Sequence, residues 1–81
     1  MSVEVDPFLE NKIKKIKDYM LKQKIKKQII KIVNSPKIGK PMKYSRKGAR
    51  EVYLSHFRLS YKYIENENKI ILLDLYHKEE Q

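Results

Sequence analysis

Eighty-one residues can enclose one modest hydrophobic core and not two, so any activity must rest on a single domain covering 1–81. A net charge of +9 with 41% hydrophobic residues excludes a wholly disordered tail, and the lack of cysteine excludes a disulfide framework and a thiolate metal site. No apolar run approaches the roughly 20 residues that a bilayer crossing needs, and the N-terminus has no charged-then-apolar secretory pattern, so a cytoplasmic protein is expected.

Val3 and Val5 alternate with polar neighbours and suggest a short first strand. Asp6-Pro7 then reads as a helix cap followed by proline at the first helical position. Leu9, Ile13, Ile16 and Met20 recur at helical spacing with lysines between them, which makes one amphipathic face. That stripe fails at Gln23, Lys24 and Lys27, and a new one runs through Leu21, Ile25, Ile29, Ile32 and Val33. Two helices are therefore expected over about 6–34, joined by a turn around Tyr19 to Lys22 and stopped by Asn34-Ser35-Pro36.

From Lys37 onward the helical period gives way to short alternating runs, and a sheet is expected over about 39–78. Its strands are Met42 to Tyr44, Arg50 to Leu54, Phe57 to Ile64 and Lys69 to His77. Ser45 to Gly48, Ser55-His56 and Glu65 to Asn68 connect them. Ile70 to Leu73 is apolar on both faces, as a central strand is. The fold class is α+β: a helical hairpin on one face of a small antiparallel-rich sheet, with the other face open and basic.

Alternation assigns the faces. If Val52, Leu54, Leu59, Tyr61 and Tyr63 turn toward the helices, Glu51, Tyr53, Arg58, Ser60 and Lys62 point away from them. The charge is also uneven, because Asp18 and Glu51 are the only acids between Asn11 and Tyr63. A positive field of that extent points to a polyanion, with nucleic acid ahead of a membrane surface or an acidic protein.

Gly48-Ala49-Arg50-Glu51-Val52-Tyr53-Leu54, followed by His56-Phe57-Arg58-Leu59-Ser60-Tyr61, resembles the central hairpin of RelE/ParE-superfamily toxins. Asn34-Ser35-Pro36-x-x-Gly39-Lys40-Pro41-Met42-Lys43 is similar to the segment that follows their helical hairpin. Leu73-Asp74-Leu75-Tyr76-His77-Lys78 is similar to their closing strand. The RelE-like branch implies a toxin of a type II toxin–antitoxin system that cuts messenger RNA on the ribosome without a metal and so inhibits translation. The implied partners are an acidic, helix-forming antitoxin, the ribosome and its message. A related branch with the same fold poisons DNA gyrase instead.

Metal-free RNA cleavage, in which a 2′-hydroxyl attacks its own phosphate, needs a base, a stabiliser for the phosphorane charge and a proton for the leaving oxygen. Arg58 is the candidate for the charge, since its planar fork can grip two phosphate oxygens from the middle of the open face. The resemblance makes the same choice, and it assigns His77 to proton transfer and Lys78 to holding the phosphate. Glu51 is either a general base, as a glutamate is in a neighbouring branch, or a salt-bridge partner. Lys40, Lys43, Arg46, Lys47 and Arg50, with Lys62 on the face itself, are candidates for binding backbone phosphates.

The resemblance is incomplete. Two basic positions of some RelE toxins are matched here by Glu51 and Tyr53, and the C-terminal tyrosine of many members has no counterpart after Lys78, which implies slow or altered activity. No metal or cofactor is expected, because His56 and His77 lack ligand spacing and two glycines make no phosphate-cradling loop. The competing classes are a non-catalytic nucleic-acid-binding module and a protein made only to be bound by an acidic partner.

Overall fold

A computed structural model of the chain describes residues 1–43 and 48–80. The expected strand end at Tyr44 and the loop residues Ser45, Arg46 and Lys47 lie outside the described residues. The elements are β1 (Ser2–Val5), α1 (Pro7–Lys14), α2 (Tyr19–Asn34), β2 (Lys40–Pro41), β3 (Arg50–Leu54), β4 (Phe57–Ile64) and β5 (Lys69–His77). The strands form one sheet in the order β1-β5-β4-β3-β2. β1 runs parallel to β5 and the other pairs are antiparallel, so β5 is interior, in keeping with its two apolar faces.

Asp6 caps α1 by accepting from the Phe8 amide at 2.9 Å, with Pro7 at the first helical position. The interhelical turn falls at 15–18, ahead of the Tyr19 to Lys22 expected from the apolar stripes. Asp18 decides this, because its carboxylate accepts from the Leu21 amide at 3.2 Å and starts α2 a turn early. β2 is likewise earlier than expected, at Lys40–Pro41 instead of Met42 onward.

Leu9 of α1 and Ile25 and Ile32 of α2 fill the space over Val52, Leu54, Leu59, Tyr61, Ile70, Leu72 and Leu75 of the sheet. α1 lies against β5 and α2 against β3. Among the described residues no helix is long and apolar enough to cross a membrane.

One loop explains a quoted motif. The fully buried Tyr61 donates its hydroxyl to the Pro36 carbonyl at 2.7 Å and accepts from the Gly39 amide at 2.9 Å. Burial pushes its phenol above the usual range, against the opposing influence of the Gly39 amide and the Arg50 charge. Arg50 donates to the carbonyls of Lys37 at 3.2 Å and Gly39 at 2.8 Å. A Cβ on Gly39 would sit 2.7 Å from the Tyr61 ring and 2.9 Å from the Arg50 Cβ. Gly39→Ala is expected to destabilise the domain by roughly 1–3 kcal/mol, the scale of overpacking, read as a lower denaturant midpoint at unchanged slope.

Candidate functional site

The cross-strand register sets two rows of side chains on the sheet face away from the helices. Tyr53, Arg58 and Tyr76 stand opposite one another across β3, β4 and β5. Lys40, Glu51 and Ser60 form the next row across β2 to β4, and Asp74, which pairs with Ser60 in β5, has its carboxylate turned to Lys12 of α1. The Arg58 guanidinium lies 3.9 Å from the centroid of the Tyr53 ring and donates back to the Phe57 carbonyl at 3.0 Å. This stack, with a second bond to the Ser55 carbonyl at 3.4 Å, holds a long cationic side chain on the sheet face beside the turn that joins β3 and β4. The Tyr76 hydroxyl reaches across β4 and donates to a Glu51 carboxylate oxygen at 2.5 Å, a short charge-assisted bond. Ser60 is buried beneath them.

The rows depend on a β-bulge. Tyr61 pairs with Leu72 and Ser60 with Asp74, so Leu73 is an extra residue in β5. Lys12 holds the distortion by donating to the Asp74 carboxylate at 2.9 Å and the Leu75 carbonyl at 2.8 Å, and the same Asp74 oxygen accepts from the Leu75 amide at 2.8 Å. Counting by twos from Ile70 and Leu72 would send Tyr76 toward the helices and His77 to the open face. The bulge exchanges them, and Tyr76 joins Arg58.

His77 consequently stands opposite Phe57 on the helix side of the sheet, so it does not share a face with Arg58. Its ring meets Phe57 edge-on at 5.5 Å and stacks on His56 at 6.0 Å, and its Nδ1 accepts from the Glu79 amide at 3.3 Å. Lys78 is exposed just past the strand, its amide bonded to the His56 carbonyl at 2.8 Å. Arg50 also departs from expectation: it pairs with Tyr61 on the helix side and binds loop carbonyls, leaving its guanidinium committed to structure.

Glu51, Arg58 and Lys40 are brought together, Lys62 lies exposed further along the same face of β4, and Lys43 is exposed beyond β2. Arg46 and Lys47 are outside the described residues. Tyr76 was missed by the sequence reading, although apolar spacing of two and then three at Ile70, Leu72 and Leu75 carries the signal of the bulge. Among the described residues no group of three or more His, Cys, Asp or Glu side chains could hold a metal ion.

The family model described as the ParE toxin of the type II toxin–antitoxin system parDE matches residues 3–81. No protein of curated function matches the chain by sequence. Among solved structures it is similar to a chain of the intact Escherichia coli RelBE toxin–antitoxin complex, at TM-score 0.80 and 17% identity over 94% of each chain. The RelBE2 toxin–antitoxin complex of Mycobacterium tuberculosis matches at TM-score 0.80 and 17% identity, covering 94% of this chain and 95% of that one. A YoeB/ParE toxin from Agrobacterium tumefaciens matches at TM-score 0.84 and 14% identity, covering 95% and 98%. At such identities these structures establish the α+β fold, and the family model establishes the lineage.

Proposed function

The chain belongs to the ParE toxin family of type II toxin–antitoxin systems, within the RelE/ParE superfamily, and from the side chains on its open sheet face we propose that it is a metal-independent endoribonuclease cleaving ribosome-bound messenger RNA. The observation that carries this reading is the Glu51–Tyr76 hydrogen bond beside Arg58 on the open sheet face. A carboxylate, a phenol and a guanidinium within one patch can fill the three roles of base, acid and charge stabiliser that strand scission by a 2′-hydroxyl requires.

In this mechanism Glu51 accepts the proton of the 2′-hydroxyl as its oxygen bonds to phosphorus. Arg58 offers two N–H groups to the equatorial oxygens as charge develops there. The bond from phosphorus to the 5′ oxygen breaks, and the Tyr76 phenol protonates that oxygen. Glu51 then returns its proton to Tyr76 along their hydrogen bond, leaving a 2′,3′-cyclic phosphate and a 5′-hydroxyl. Lys40, Lys62 and Lys78 hold neighbouring phosphates, and so screening by salt should weaken substrate binding. An acidic antitoxin covering this basic face would silence it, and the proposed place of action is the cytoplasm, where ribosomes and message are found.

Tyr76→Phe should lower cleavage of message on translating ribosomes by roughly a hundredfold, the usual scale for a lost proton donor. His77→Gln should leave it near wild type, because the imidazole packs on Phe57 and His56 behind the sheet. Primer-extension mapping with end-group analysis reads both. Loss of activity in His77→Gln with Tyr76→Phe unaffected would move proton transfer to His77 and discard the Tyr76 assignment.

A further inference from the structure

Beside the catalytic rows, a cleft of about 290 Å³ opens at the sheet edge between β3 and α2. It exists because β2 pairs only with Arg50 and Glu51, so that from Val52 onward the outer edge of β3 has no strand beside it among the described residues. Gln28 of α2 donates to the Tyr53 carbonyl at 2.9 Å, which satisfies part of the bare edge and pins the helix along it.

The walls differ in kind. Tyr53 and Ile38 both line the cleft and are each 51% exposed, leaving an aromatic ring and an aliphatic side chain open to water. Lys31 and Lys40, both exposed, contribute ammonium groups to the same lining. Flat apolar surface with cations beside it is the chemistry that takes an unpaired base and its phosphate. The volume is at the small end for an organic ligand, which suits a single base. Tyr53 and Glu51 belong both to this cleft and to the catalytic rows, and the Tyr53 ring also carries Arg58. Where some RelE toxins have a basic residue, this chain therefore has an aromatic platform.

Building on the ribonuclease reading, we infer that this cleft is the subsite for one unpaired base next to the scissile phosphate, which stacks on Tyr53 against Ile38 while its own phosphate meets Lys31 and Lys40. The subsite orients the strand so that the reacting phosphate falls under Arg58, and it gives the cut a preference for bases that stack strongly.

The probe is a short RNA made uncleavable by 2′-O-methylation and carrying 2-aminopurine, whose fluorescence falls when it stacks. Wild type should quench it saturably, Tyr53→Ala should weaken binding by about tenfold or more, and Tyr53→Phe should retain it. Ile38→Ser should weaken binding several-fold, and it leaves the Tyr53–Arg58 stack in place. No quenching by wild type, equal binding by Tyr53→Ala, loss in Tyr53→Phe, or no effect of Ile38→Ser would each overturn the subsite. Cleavage on translating ribosomes is scored separately. Quenching without cleavage sinks the ribonuclease reading and keeps the subsite, whereas cleavage without quenching does the reverse.

Discussion

Arg58→Ala should lower cleavage of ribosome-bound message by roughly hundreds-fold, the cost of losing one donor aimed at a transition-state oxyanion. The protein should stay folded, because Arg58 sits on the face away from the core and its described contacts are the exposed Tyr53 ring and two carbonyls of the adjoining turn. Arg58→Lys should recover little, since a point charge cannot replace a planar fork that binds two oxygens and stacks on a ring. The assay must contain translating ribosomes, which position the substrate for RelE-like enzymes. Growth arrest with gyrase inhibition and intact message, unchanged in Arg58→Ala, would assign the chain to the gyrase-poisoning branch.

Val52→Asp and Ile32→Asp should each unfold the domain, because they set a charge without a partner into the layer between helices and sheet. Val52 is 7% exposed on β3 and Ile32 is fully buried on α2, and both belong to the one core cluster. A cost above about 4 kcal/mol takes most of the stability available to a chain of this size. Far-ultraviolet circular dichroism and thermal melting read the outcome, and a variant with native spectrum and melting point would reject the layer assignment. Ile29→Asp should be milder than the stripe on α2 suggests, because Ile29 only borders the cluster.

Much of this molecule is legible in its sequence. The two-residue alternation in β3 and β4 identified both faces correctly, since every residue of a regular strand must turn opposite to its neighbours. Asp6-Pro7 marked the start of α1, and Asn34-Ser35-Pro36 the end of α2, through local backbone chemistry that needs no tertiary partner. The ordered hairpin motifs resembled the toxin superfamily that the family match establishes, whereas net charge by itself pointed only to a polyanion.

What alternation could not carry was position beyond an irregularity. A single extra residue at Leu73 reverses every later side chain in β5, and only the pairing of β5 with β4 and the Lys12 bonds across the fold fix where that residue falls. Tyr76 therefore faces Arg58 and His77 does not. Arg50 likewise looked like one more phosphate-binding cation, until the loop closing over Tyr61 supplied carbonyls for its guanidinium. Local pattern determined the elements and their faces, because it acts between neighbours in the chain. The membership of the site was decided by register and loop closure, because those depend on groups brought together from distant positions.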